Sequence, residues 1–334
     1  MPELPEVEVV RAGLTPAVTG ALIAGVDVID ERALTRHVGG AADFADRLSG
    51  RTILGAARRG KFLWLPLAPG DAEHPEALLA HLGMSGQLLL RAPGAPPERH
   101  ERIRLHLVTR DGPSERDDVP AAPRWSGELD LVFVDQRTFG SLAIDALVTT
   151  SDGQPAGWGS ECADDPARVP AQARHIARDP LDPAFDDRAF RDLLRRRSSG
   201  IKRVLLDQTV LSGVGNIYAD EALWAARMHP EQSAASLPTR AVTRLLAEIR
   251  AVLHKALAEG GTSFDAQYVN VNGEAGYFAH SLNAYGRTGE PCPRCGGAIV
   301  QVRFMNRSSH YCPRCQRLPR PARTHGAVEP GPVR

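Results

Sequence analysis

The chain has 334 residues, 43% of them hydrophobic and 24% charged, and its 40 basic and 40 acidic side chains balance to a formal charge of +0. This length exceeds one small core and points to two domains with an appendage, in the composition of an ordinary globular protein. No apolar run is long enough for a membrane-spanning helix, and the first residues lack the basic and apolar regions of a secretory signal, so a cytoplasmic protein is expected.

The neutral total hides a segregation of charge. From Arg287 onward nine arginines face only Glu290 and Glu329, which leaves this end at +7 and everything before it at −7. A basic end on a neutral protein can meet phosphates, or can simply be a solvated tail.

In chain order, the first helix is expected to start near Pro2–Pro5 and to reach about Val18, with Val7, Val10 and Leu14 at helical spacing. Glu3 and Glu6 then share one face of its first turn, where the helix dipole favours carboxylates. From residue 21 to 145 short β-like runs alternate with turns, at 23–29, 62–67, 87–91, 103–108, 129–134 and 141–144, which points to a sandwich or barrel. Residues 111–127 read as a long loop, and 151–174, rich in Gly, Pro, Ala and Asp, as an interdomain linker.

After Pro183 the period becomes helical. Phe190, Leu193 and Leu194 mark one helix, and Ile201, Val204 and Leu205 another. The run from Val242 to Leu257 marks a long helix stopped by Gly260–Gly261. Between them Leu211-Ser-Gly-Val-Gly-Asn-Ile217 is a glycine-bearing turn feeding a helix over 217–226. A cysteine module follows from Gly286, and a Pro/Arg/Gly tail over 318–334 is expected to be disordered. The expected division is therefore 1–150, a linker over 151–178, a helical domain over 179–285, the module over 286–317 and the tail.

Four motifs carry chemistry. Cys292, Cys295, Cys312 and Cys315 form two C-x-x-C pairs separated by sixteen residues, the spacing of a four-cysteine zinc module. Four thiolates fill a tetrahedron, so this Zn2+ is structural, and Arg307 falls at the tip of the intervening hairpin. The turn ending in Asn216 offers backbone N–H groups at a helix start to an anion. Set beside Arg195–Arg197, Lys202 and Arg203, it favours a helix–two-turn–helix clamp on DNA phosphate, although a plain interhelical turn fits the same residues.

Pro2 is the third. Methionine before proline is normally removed, which exposes a secondary amine that titrates near pH ~8 and can attack an electrophilic carbon. Glu3 beside it can act as acid and base, and Glu6 can order the amine. Read alone, Pro and Glu serve equally well as helix-start residues. The fourth is a scattered set of turns. They carry Lys61, His81, Met84, Arg137 and Phe139, of which several are long or aromatic side chains suited to wedging a duplex around an extruded nucleotide.

Together these residues resemble a known family. Pro2-Glu-Leu-Pro-Glu-Val-Glu8, Gly60-Lys61, His81-Leu-Gly-Met-Ser-Gly86, Asp135-x-Arg-x-Phe-Gly140, Gly213-Val-Gly-Asn-Ile-Tyr218 and the four cysteines occur in the order of formamidopyrimidine-DNA glycosylase. The resemblance implies an α+β multidomain fold: an N-terminal β-sandwich with flanking helices, a helix–two-turn–helix domain and a C-terminal zinc β-hairpin. It implies a bifunctional DNA glycosylase and AP lyase of base excision repair. Such an enzyme removes 8-oxoguanine and formamidopyrimidines through a Pro2 Schiff base, followed by β,δ-elimination. By the same resemblance Pro2 is the nucleophile, Glu3 the general acid and base, and Glu6 its support; Lys61 contacts phosphate beside the lesion. Met84, Arg137 and Phe139 enter the duplex, with Arg137 facing the orphaned cytosine. Asn216 and Arg307 hold the flanking phosphates, while His81 and Lys202 complete the expected DNA-binding set. Glu221 corresponds to an acidic residue near the site, and residues 262–277 to a loop closing over the everted base.

The expected partner is double-stranded damaged DNA, engaged by a monomer, associated with the nucleoid through DNA. Three other readings stand beside this one: an endonuclease VIII-like glycosylase for oxidised pyrimidines, a catalytically inactive DNA-binding relative, and, more remotely, an N-terminal-proline tautomerase.

Overall fold

A computed structural model of the chain describes residues 2–70, 72–109, 127–262, 271–272 and 276–318. Nearly all of the loop expected at 111–127, most of the 262–277 segment and nearly all of the tail lie outside the described residues.

Helix α1 spans Leu4–Val18 and begins as its sequence dictates. Pro5 sits in the first turn, and Glu3 and Glu6 form a reciprocal capping box in which the Glu3 N–H donates to Glu6 Oε2 at 2.8 Å. Its apolar stripe, Val7, Val10, Leu14 and Val18, packs into the core of the first lobe, whereas Leu4 packs into the core of the second. One helix therefore crosses from lobe to lobe at its first turn.

Two antiparallel sheets make the first lobe. One is ordered β1 (Leu22–Val28), β6 (Glu101–Thr109), β7 (Gly127–Asp135), β5 (Gly86–Arg91). The other is ordered β2 (Ala57–Arg59), β3 (Phe62–Pro66), β4 (Glu76–His81), β8 (Ser141–Thr149), β9 (Arg168–Pro170). Leu63, Leu65, Leu78 and Ile144 of the second sheet meet Leu88, Leu105, Leu131 and Phe133 of the first in one core, completed by α1 and by α2 (Gly40–Leu48). This is the expected sandwich. Strand β4 carries little strand signal of its own, because Glu76-Ala-Leu-Leu-Ala-His81 lacks both β-branched residues and alternation; pairing with β3 and β8 makes it a strand.

The segment read as a linker behaves differently. Residues 168–170 add strand β9 to the sheet edge, Arg58 N–H donates to Trp158 O, and Ala156, Val169, Ala173 and Ile176 cover Trp64 and Leu79 on the sheet's outer face. A Gly/Pro-rich composition marked the irregular backbone but not what it covers. The sheet is buried on both sides, which is why β3 is apolar at every position.

In the second lobe α3 (Asp187–Leu194), α4 (Ile201–Leu205), α5 (Asn216–Ala225) and α6 (Thr239–Ala258) surround one apolar core. Strands β10 (Val300–Phe304) and β11 (Arg307–Tyr311) form the final hairpin, joined by Met305-Asn306 with Met305 at positive φ. A small core of Ala284, Cys292, Ile299 and Cys312 seats the cysteine module against Trp224 of α5.

Candidate active site and nucleic-acid interface

The start of α1 meets the glycine turn 211–216 face to face. Leu4 N–H donates to Gly213 O at 2.9 Å, and Glu3 accepts from the N–H groups of Gly215 (2.7 Å), Ile217 (3.0 Å) and Tyr218 (3.3 Å). The turn must be glycine here. Gly213 has φ +85°, and a Cβ on Gly215 would lie 2.3 Å from the Glu3 carboxyl carbon. These contacts correct one expectation: the N–H groups at the start of α5 do hold an anion, but it is the chain's own Glu3 carboxylate.

Glu6, one turn along, accepts from Tyr218 Oη at 2.6 Å and from the backbone N–H and hydroxyl of Thr262, both at 2.8 Å. Lys61 stands opposite, on the turn between β2 and β3, its ammonium donating to Val214 O at 3.2 Å. Burial pushes the Glu3 carboxyl above its ordinary range, against the pull of Lys61 and the backbone donors. Burial also pushes the Lys61 ammonium down, against the pull of Glu3. Both shifts run toward the neutral form, as the burial of a charged group requires.

Pro2 is buried beside this pair. With Val7, Lys61, His81, Leu82, Gly83, Met84 and Phe139 it lines a cavity of about 270 Å³. The rim is built from two interlocked turns. Ser85 Oγ donates to Asp135 at 2.5 Å, Asp135 accepts from the N–H groups of Arg137 and Gly140, and a Cβ on Gly83 would strike Phe139 carbonyl carbon and Gly140 N at 2.5 Å. On this fixed backbone Met84 and Phe139 remain exposed, and the Arg137 guanidinium lies 5.3 Å from the Phe139 ring centre. His81 packs against Phe62 at 5.0 Å and its Nδ1 accepts from Gly83 N–H; burial, then Arg36 and Lys61, lowers its pKa to about 4.

The hairpin reaches the same seam. Asn216 Nδ2 donates to Ser308 O at 3.0 Å, next to Arg307, which is exposed. Lys202 does not lie on the surface as a phosphate contact requires. It is fully buried, 2.7 Å from Asp220, donating to Ser308 O, with its ammonium 4.8 Å from the Phe304 ring centre. A basic residue beside three arginines reads as solvated in sequence, yet its helical phase turns it inward. Asp220 also accepts from Ser309 Oγ and His310 N–H, so the pair steadies the hairpin that bears Arg307. Glu221 is likewise buried, accepting from the N–H groups of Asn283, Ala284 and Tyr285, and so braces the approach to the cysteine module. Asp220 carries no sequence signal, and although Tyr218 ends the glycine-turn motif and Thr262 begins the expected loop, only their position in the fold gives the three their partners.

The thiol sulfurs of Cys292, Cys295, Cys312 and Cys315 all lie within 4.8 Å of one another. Four convergent sulfurs with no other donor fit one tetrahedral Zn2+ with no open position. Among the described residues no helix is long and apolar enough to cross a membrane.

Three family models match the chain: the formamidopyrimidine-DNA glycosylase N-terminal domain over residues 1–142, the H2TH domain of that enzyme over 176–267, and the zinc finger found in FPG and IleRS over 289–318. A formamidopyrimidine-DNA glycosylase of Leifsonia xyli is 60% identical over 95% of this chain and 100% of its own length. One of Thermobifida fusca is 54% identical over 97% and 100% respectively. Among solved structures, a Lactococcus lactis enzyme variant in complex with Fapy-dG-containing DNA superposes with a TM-score of 0.73 at 30% identity, covering 95% of this chain and 100% of that one. The chain belongs to the formamidopyrimidine-DNA glycosylase family.

Proposed function

We propose that this chain releases oxidised purines from double-stranded DNA and then cuts the strand, with the Pro2 amine as nucleophile. As a member of its family it is a DNA glycosylase of base excision repair, with one structural zinc. The observation that carries the mechanism is the cavity in which Pro2, Lys61, His81, Met84 and Phe139 meet, with Glu3 held behind it by three backbone donors.

Freed by removal of Met1, the amine attacks C1′ of a nucleotide swung out of the helix, and the C1′–base bond breaks with its electrons and a proton going to the purine. The sugar ring opens as Glu3 protonates its oxygen, leaving an iminium on Pro2. That iminium acidifies the 2′ hydrogen; its loss expels the 3′ phosphate, and a second elimination expels the 5′ phosphate. Lys61 meets the phosphate beside the lesion, and Asn216 and Arg307 the neighbouring ones. Met84, Phe139 and Arg137 fill the vacated space, Arg137 facing the orphaned base. His81 lines the same rim. Lys202 acts through the hairpin rather than on DNA. All these groups come from one chain, which supports action as a monomer.

Borohydride trapping on duplex DNA containing 8-oxoguanine tests the reading. Mature protein should form a covalent adduct, and Pro2→Gly should bind the same DNA while slowing base release. Absence of any adduct with mature protein would instead favour an inactive binder, and a preference for thymine glycol would favour the endonuclease VIII-like alternative.

A further inference from the structure

The turn that presents Lys61 is held by a buried charge network away from the cavity. Arg58 in β2 is 1% exposed. Its Nε donates to Glu8 on α1 at 2.8 Å, and its Nη1 donates to Asp179 at 2.9 Å and to Gly60 O at 3.1 Å. Asp179, also 1% exposed, lies where the chain leaves the 151–178 segment for the second lobe, and it accepts from Gly60 N–H at 3.4 Å. Both backbone polar groups of Gly60 therefore belong to the network. On its other side Gly60, at φ +56°, is packed so closely that a Cβ would lie 2.7 Å from Ser212.

Arg11 closes the set by donating to Glu8 at 2.7 Å, so two guanidinium groups balance two carboxylates. Only a rigid, planar fork can serve Glu8, Asp179 and Gly60 together; a lysine ammonium is a compact point charge. Helix α1, the Lys61 turn and the start of the second lobe are thus referenced to one buried side chain.

We propose that Arg58, with Asp179, is a positioning residue for Lys61: it fixes the Gly60–Lys61 turn against the helix that bears Glu3 and so sets where Lys61 meets the DNA backbone. This rests on the assignment of Lys61 to a phosphate. Catalytic geometry displaced by about 1 Å can cost about 100-fold in rate, and one lost phosphate contact makes the slope of log affinity against log salt shallower by about 0.9.

The test compares Asp179→Asn, Asp179→Glu and Lys61→Ala in single-turnover excision of 8-oxoguanine and in salt titration of DNA binding. Asp179→Asn is expected to slow excision by about 10-fold to about 100-fold and to make the salt slope shallower, with Asp179→Glu recovering much of both. A merely structural pair would lower the melting temperature and leave the rate and slope of folded protein unchanged, and that result overturns the proposal. If Asp179→Asn does not fold, Arg58→Lys is read by the same two measurements and the same criterion. An unchanged slope in Lys61→Ala sinks the phosphate assignment itself; a changed slope there with none in Asp179→Asn sinks only the positioning role.

Discussion

The floor and the rim of the cavity are built on opposite terms. On the floor Glu3 and Glu6 are buried and Lys61 is half-buried, their polar atoms tied to backbone and side-chain partners. On the rim Met84 and Phe139 keep side chains in solvent, while the backbone beneath them is fixed by Asp135 and Ser85. The difference separates two tasks. Proton transfer needs groups held in place and shifted in pKa, whereas filling a gap in a duplex needs apolar side chains free to leave water.

Gly215→Ala attacks this contrast most directly. Its methyl would collide with the Glu3 carboxyl, so excision by folded protein should fall about 100-fold, as expected when reacting groups are displaced. DNA affinity should change little, because Arg307, Asn216 and the rim are untouched. A gel-shift and a single-turnover assay on the same preparation check this, and equal losses in both would erase the distinction between floor and rim.

Phe139→Ala should do the reverse. Lesion binding and excision at limiting enzyme should weaken about tenfold, in the range of one lost base–aromatic contact. The melting temperature should hold, since an exposed side chain contributes within about 0.5 kcal/mol. A large loss of thermal stability would make Phe139 a core residue rather than a wedge.

The smallest effect at neutral pH belongs to His81. With its pKa lowered from 6.5 to about 4, the folded protein binds fewer protons than the unfolded chain between those values. Stability therefore falls as pH drops from 6.5 toward 4, and is unaffected by this group above 6.5. His81→Asn should flatten that decline, by at most about 2 kcal/mol near pH 5. Urea unfolding of both proteins across this range measures it, and an equal decline in wild type and His81→Asn would contradict a buried imidazole with a lowered pKa.

Much of this was legible in the residues. The helix start with Glu3 and Glu6 on one face, the C-x-x-C spacing and the glycine turn depend on neighbours along the chain, so local chemistry specified them. Lys202 and Glu221 were not legible in this way. A lysine among arginines and a carboxylate on a helix are both common on a wet surface; the docking of β11 on α5 buries the first, and residues 283–285 folding onto α5 bury the second. The 151–178 segment shows the same limit, since composition reports a lack of regular backbone and says nothing of the sheet it covers.

By itself the sequence determined which groups could react, where helices begin, and that four thiolates would gather one zinc, because capping, turn geometry and ligand spacing act over a few residues. Only the tertiary structure decided that α5 would offer its N–H groups to Glu3, that Lys61 would be half-buried against Val214, and that Arg58 would join three distant segments. Those outcomes depend on desolvation and on partners up to 215 positions away along the chain, which no local pattern encodes.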